Sequence, residues 1–256
     1  MKQKRIKTSV YGAVIIALIG GLVFSILASI TFGNADISIK EVYQVILYEI
    51  FHIDGFSSYA EGAVHDVVWL IRFPRVLMAV GIGMGLSVCG VVMQAVVKNP
   101  LADPYVLGVS SGGYLGAAAS VLLGIGSAFG DNAMGIMAFI GAMAASFAVL
   151  FISGVGGRSN AGKLILAGMA ISSVCSAFAN FLIYISQNRE ATAQISYWSM
   201  GSLAAADWDN VPVILPIMFI ASLIFWTQSR NLNLMLLGDE TAVTLGTDLH
   251  RARIAI

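Results

Sequence analysis

The stretch Val10-Tyr-Gly-Ala-Val-Ile-Ile-Ala-Leu-Ile-Gly-Gly-Leu-Val-Phe-Ser-Ile-Leu-Ala-Ser-Ile-Thr-Phe32 decides the fold class. It runs 23 residues without Asp, Glu, Lys or Arg, and a helix needs roughly 20 apolar residues to cross a hydrocarbon core of about 30 Å. The basic start Met1-Lys-Gln-Lys-Arg-Ile-Lys7 in front of it imitates a signal peptide. A signal's apolar core is only roughly 7–15 residues long, however, so the run reads as an uncleaved first helix.

Five further apolar blocks follow: Val76–Val97, Tyr105–Gly124, Ala133–Val155, Leu164–Ile185 and Val211–Thr227. The last is short, with Pro212 near its start and Pro216 one turn later, where a kink is expected. None alternates with the period of a spanning strand. The sequence therefore predicts an all-α, polytopic transmembrane bundle with six spans. Composition points the same way: 58% of the 256 residues are hydrophobic and 11% charged, against about 25% charged in soluble domains. A net charge of zero argues against a nucleic-acid partner. Cys89 and Cys175 lie singly inside apolar blocks and read as small buried side chains.

Orientation follows from Lys and Arg in short loops. With the N-terminus in the cytoplasm, Lys2, Lys4, Arg5, Lys7, Lys98, Arg158, Lys163, Arg230, Arg251 and Arg253 fall inside. Lys40, Arg72, Arg75 and Arg189 fall outside. The expected organisation is a single transmembrane domain over residues 1–256. An outer segment, 33–75, contains an amphipathic helix over Ile39–Phe51, with Val42, Val45, Ile46 and Ile50 at helical spacing. A cytoplasmic segment occupies 229–253. The final Ile254-Ala-Ile256 reads as the opening of another span, so a truncated chain is expected.

Four clusters carry candidate function. Arg72-Phe-Pro-Arg75 sits at the expected outer mouth of the second span. Arginines there either snorkel to headgroups or meet carboxylates of a partner. Gln94, Asn99, Pro100, Asp103 and Pro104 form a proline-broken connection, either a tight turn or backbone lining a cavity. Gly108-Val-Ser-Ser-Gly-Gly113 lacks the Gly-Lys-Ser/Thr ending of a phosphate loop. Its small residues favour close helix packing, with Ser110 and Ser111 available to a polar path. Gly238, Asp239, Glu240, Ala242, Leu245 and Gly246 outline a short inner helix, acidic at its start and ended by glycine. No catalytic set and no metal-ligand spacing is present; His52, His65 and His250 are isolated in sequence. Spans without ionisable residues argue against an ion-coupled relay and place the energy source in another subunit.

Arg72-Phe-Pro-Arg75, Gln94 with Asn99-Pro-Leu-Ala-Asp-Pro104, Leu107-Gly-Val-Ser-Ser-Gly112, Tyr197-Trp-Ser-Met-Gly-Ser-Leu203, Trp208 and Leu237-Gly-Asp-Glu-Thr-Ala-Val-Thr-Leu-Gly246 occur in this order. The series resembles the iron-siderophore, haem and cobalamin permease family of type II ABC importers (FecCD-like). The resemblance implies a permease of ten spans, paired with a second copy or a paralogue in the cytoplasmic membrane. It implies two ATPase subunits inside, which hold the ATP and Mg, and a binding protein outside; no cofactor is expected on this chain. Arg72 and Arg75 match the arginines that meet the binding protein. Gly238–Gly246 matches the coupling helix that meets the ATPase. Asn99–Pro104 and the small-residue span after it line or support the path. A ferric siderophore is the expected cargo, with haem and cobalamin as alternatives and an ion-coupled transporter as the rival class.

Overall fold

A computed structural model describes residues 2–155 and 161–236. The expected coupling residues Gly238, Asp239, Glu240, Ala242, Leu245 and Gly246 lie outside the described residues. The described residues are helical, without a strand. In order they form α1 (Lys2–Thr31), α2 (Ile39–Phe51), α3 (Ala63–His65), α4 (Phe73–Val97), α5 (Val109–Leu123), α6 (Ala133–Gly154), α7 (Ala161–Ser186), α8 (Arg189–Ser199), α9 (Val211–Thr227) and α10 (Ser229–Leu236). The all-α polytopic expectation is met, but the spans differ from those expected. Among the described residues four helical runs are long and apolar enough to cross a membrane: Val10–Thr31, Ala63–Val97, Ser127–Gly154 and Gly162–Ser186. A fifth is reached only by joining α9 to α10 across a 58° bend.

The third expected span, Tyr105–Gly124, is shorter than its apolar run. Asp103 accepts a bond from the Tyr105 N–H, Pro104 opens a single 3-10 turn, and Gly108 at φ 71° ends it. Helix starts only at Val109, leaving 15 residues, or about 22 Å of rise. This helix is also the one most enclosed by protein: Gly112, Gly113, Gly116, Ala117, Ala118 and Ser120 are buried. By contrast α1 is apolar on all sides and exposed on nearly all of them, with Ile16 at 72% and Phe24 at 73%. A helix that is apolar all round belongs in lipid or in a core.

The described residues group into two compact units, one of 2–83 and 203–219 and one of 84–155, 161–202 and 220–236. In the first, α2 turns Val42 and Val45 into a core with Ile30 and Val68, and Ile46 packs against it. Ile50, the fourth residue of the expected apolar face, stays exposed at 47%. A capping box starts α2: the Ser38 hydroxyl accepts from the Glu41 N–H, and the Glu41 carboxylate accepts from the Ser38 N–H. These bonds, first from the Ser38 side chain and then from its backbone, hold the Glu41 carboxyl below its ordinary value. His52, left-handed at φ 51°, closes the helix by donating its N–H to Tyr48 O at 2.7 Å.

Between α3 and α4 the helix widens. Asp66–Arg72 follows π geometry, and the Phe73 N–H reaches back to Val68 O. Continued by one residue, that pattern would pair position 74 with Trp69 O. Residue 74 is proline and has no N–H. The vacancy is filled from 139 residues away: the Trp208 indole N–H donates to Trp69 O at 2.9 Å. Trp69, Phe73 and Trp208 form one aromatic cluster, with centroids 4.8 to 5.7 Å apart. A π-turn before a proline relieves the clash that a proline ring makes with the carbonyl four residues back.

In the second unit, α5, α6 and α7 pack on small residues. A methyl group on Gly112 would meet the Ala145 methyl and the Gly141 carbonyl, and one on Gly116 would meet the Met137 carbonyl. Gly141 faces Gly112 and Gly116 in return, and Gly168 lies against the Val106 carbonyl. The packing reading of the glycine run holds, as it does for small-residue helix contacts in membranes generally. Met93, Val97, Ala102, Val149, Leu164 and Ala167 form the unit's main apolar core. Helix α8 begins at Asn188, whose side chain accepts from the Ala191 N–H, and buries Ile195 against Ala118 and Ala179.

Candidate functional site

Helix α1 ends at Thr31 with carbonyls that have no partner further along the helix. The chain then turns through Gly33 and Asn34 towards α2. The side chain that meets those carbonyls comes from the π-helical stretch. Arg72 donates from Nη1 to Ile30 O at 3.1 Å and to Thr31 O at 2.9 Å, and from Nη2 to Ala35 O at 3.1 Å. A cation at the negative end of a helix dipole is favourable there. Arg72 is 8% exposed, in keeping with that use. Gly33 is required by the same contact: a Cβ at that position would stand 2.6–2.8 Å from the guanidinium atoms.

Arg75, three residues on, has different surroundings. It is half-buried and donates from Nη2 to Ala204 O at 3.0 Å. Its Nε–H is sealed from water and has no hydrogen-bond partner. Both arginines line a cavity of about 460 Å³, walled on its other side by Ser29, Phe32, Gly33 and Asn34. Two guanidinium groups thus line one concave site, one committed to three backbone carbonyls and the other bonded once through Nη2; guanidinium groups are the usual partners of carboxylates and other planar anions.

The second cluster forms a turn that satisfies itself. Lys98 is left-handed at φ 56°, and the Asn99 N–H closes back on Gln94 O at 3.2 Å. The Asn99 side chain accepts from the Leu101 N–H, and the Asp103 carboxylate from the Tyr105 N–H, both at 2.9 Å. These are Asx turns, the usual use of such residues beside proline. Pro100 is exposed and Pro104 half-buried; Gln94 and Ser111 are half-buried, and Ser110 is exposed. The structure thus brings Asn99 and Asp103 onto their own backbone. It brings Ser110 and Ser111 to the start of α5.

Two features escaped the sequence. His65, isolated in sequence, is held between carboxylates: Nε2 lies 3.1 Å from the Glu49 Oε1 and Nδ1 3.2 Å from the Asp66 Oδ1. It ties α2 to α3, and no local signal announces a pair 16 residues apart. The Trp208 indole bond to Trp69 is the other; only the motif containing Trp208 hinted at it. Among the described residues no group of three His, Cys, Asp or Glu is placed to hold a metal ion.

Comparison with known proteins gives one family. The model of the FecCD transport family matches residues 14–256. The hemin transport system permease protein of Yersinia pestis is 39% identical over 194 residues, 74% of this chain and 57% of that protein. The cobalamin import system permease protein of Halobacterium salinarum is 34% identical over 73% of this chain and 49% of its own length. An ABC transporter permease protein of Bacillus subtilis is 31% identical over 98% of this chain and 70% of its own length. The chain thus spans about half the length of the first two relatives. A solved structure, described as an inward-facing conformation of a metal-chelate type ABC transporter, superposes with a TM-score of 0.73. It is 26% identical and covers 95% of this chain and 69% of its own.

Proposed function

The chain belongs to the FecCD transport family, and from that premise we propose that it is the membrane-spanning permease part of an ATP-driven importer of a metal chelate. The observation that carries this is the family match over residues 14–256, on a helical chain whose apolar runs contain no Asp, Glu, Lys or Arg. The energy source sits on ATPase subunits at the cytoplasmic face, in keeping with the ABC transporter permeases that this chain resembles. The chain lies in the cytoplasmic (inner) membrane with its N-terminus in the cytoplasm, by the distribution of Lys and Arg. A second permease copy or paralogue completes the pore. The Gly238–Gly246 segment contacts the ATPase, and Gln94, Asn99–Pro104, Ser110 and Ser111 border the path. An extracytoplasmic binding protein docks through carboxylates at the cavity that Arg72 and Arg75 line.

Transport proceeds by alternating access. Each partner shifts the permease only so far as it prefers one of its two states. No bond is made or broken in the cargo. Haem and cobalamin are the cargoes named for relatives of this chain; a ferric siderophore belongs to the same chemical class, a bulky metal complex.

The test is uptake of ⁵⁵Fe-siderophore, hemin and cyanocobalamin in cells lacking their own importers. The cells carry the gene with its ATPase and binding-protein partners. Uptake of one of the three, lost when the ATPase is inactivated and insensitive to a protonophore while ATP is maintained, is the expected result. Uptake abolished by the protonophore at full ATP would put the ion-coupled class in its place.

A further inference from the structure

We propose that a proton-dependent clamp holds the last turn of α2 to the start of the second spanning run, with His65 as an imidazolium bridging Glu49 and Asp66. The clamp stands on contacts inside the first unit and does not depend on the docking or cargo readings above. With the N-terminus in the cytoplasm, it faces the outer aqueous phase.

Donors and acceptors carry the first step. His65 Nε2 lies 3.1 Å from Glu49 Oε1, and Nδ1 lies 3.2 Å from Asp66 Oδ1. An ionised carboxylate only accepts hydrogen bonds. A neutral imidazole has one N–H and one lone pair, so either tautomer bonds one carboxylate and turns a lone pair towards the other. Against two ionised carboxylates, only the imidazolium donates to both at once, and its bonds are charge-assisted.

Burial carries the second. The His65 side chain is 13% exposed and that of Glu49 23%, whereas Asp66 is 59% exposed. The bond that crosses between elements is therefore the shielded one, where a change of charge counts for more than in open water. The apolar core of α2 sits earlier in the helix, at Val42 and Val45, and Ile50 and Phe51 beyond Glu49 are exposed. The end of α2 thus leans on His65.

The neighbouring elements bring no competing cation. On α2, Lys40 is exposed at the opposite end, Glu41 is bonded to Ser38, and Tyr48 and His52 stack on each other. The 3-10 turn before α3 brings Tyr59 to the same core, and Glu61 is exposed. The π stretch brings Asp66 and, at its far end, Arg72, which is bonded to the Ile30, Thr31 and Ala35 carbonyls. Among the described residues neither Glu49 nor Asp66 pairs with Lys or Arg. The sign follows: the clamp is closed while His65 holds both protons and opens as rising pH removes one. Imidazole is the side chain suited to such a change near neutral pH.

The test uses the full chain in lipid nanodiscs. Nitrogen-15 NMR of labelled histidine, in a chain carrying His52→Asn and His250→Gln, counts the N–H groups on His65 from about pH 5.5 to about pH 9. Proteinase K cleavage in the 52–62 loop of the unaltered chain, normalised at each pH to an unstructured peptide, reads the clamp. Two N–H groups are expected at the acid end and one at the alkaline end. Loop cleavage is expected to be at least about fivefold faster at the alkaline end, with the same midpoint. His65→Gln, which gains no charge, is expected to be cleaved at rates within about 1.5-fold at the two ends. Glu49→Gln keeps an oxygen acceptor without the charge and is expected to cut the pH effect to about twofold or less. Cleavage that does not change with pH, a midpoint apart from that of the imidazole, or a pH effect that persists in His65→Gln overturns the proposal. The first two measurements leave His65 and Glu49 in place, so they decide it even where a variant at either position fails to fold.

Discussion

Trp208→Phe tests the most unusual contact in the first unit. The change keeps an aromatic ring against Trp69 and Phe73 and deletes one N–H. That N–H is the donor for Trp69 O, the carbonyl that the π-turn and Pro74 together leave without a helical partner. Loss of a neutral hydrogen bond with its acceptor stranded in part-buried surroundings costs about 1–3 kcal/mol. Trimming indole to phenyl removes a further fraction of the aromatic contact, which totals about 0.5–1.5 kcal/mol. A single substitution cannot separate these effects; a double-mutant cycle can. Pro74→Ala restores a backbone N–H at the position facing Trp69 O. In that background, Trp208→Phe should cost about 1 kcal/mol less than it does with proline present. The assay is reversible unfolding of the detergent-solubilised chain by sodium dodecyl sulfate, followed by circular dichroism. A coupling energy below about 0.3 kcal/mol, the level at which independent sites add, would refute the idea that the indole substitutes for the missing proline donor.

Asp103→Asn keeps a side-chain oxygen for the Tyr105 N–H and should leave stability within about 0.5 kcal/mol, whereas Asp103→Ala loses the cap and should cost about 1 kcal/mol. Uptake abolished by the asparagine variant at unchanged stability would give the charge itself a role in the path. Gly116→Val should separate α5 from α6, because its side chain would enter the Met137 carbonyl. Overpacking of this kind costs about 1–3 kcal/mol or more, and cysteine cross-linking between the two helices reads the change. His65→Leu should loosen α2 from α3 by about 1 kcal/mol, since the pair with Glu49 is mostly shielded from water; unaltered protease resistance of the 52–62 loop would contradict it. The Glu41 carboxyl is held down in the folded chain by Ser38. A depressed carboxyl stabilises above its unfolded value, and that contribution is lost as pH falls through the folded one. Carbon-13 NMR should therefore find Glu41 titrating below the ordinary glutamate value, and Ser38→Ala should raise it toward that value.

The features legible in the sequence are those set by neighbouring residues. The uninterrupted run from Val10 to Phe32 specifies a spanning helix on its own, and Ser38 with Glu41 writes the start of α2 in four letters. The third span starts later than expected because hydropathy counts Tyr105, Val106 and Leu107 as membrane residues, while Asp103, Pro104 and Gly108 bend that backbone into a 3-10 turn. The last span, Val211–Thr227, has the expected bounds and is short, reaching the needed length only together with α10. At the candidate site, Arg72-Phe-Pro-Arg75 was readable as a pair, but not the difference between its members. That difference depends on Ile30 and Thr31, more than forty residues earlier, and the unpaired Nε of Arg75 depends on the loop that brings Ala204 alongside. The partners of His65 and of Trp69 O are likewise set by packing between distant segments.

The glycine contacts of α5 have a mechanical meaning. Where two helices meet through side chains, rotamers give a layer that yields, and one helix can slip or roll on the other. Gly112, Gly116 and Gly141 remove that layer, and backbone rests on backbone. Helices α5 and α6 are thereby geared together. A displacement of one of the two therefore carries the other with it.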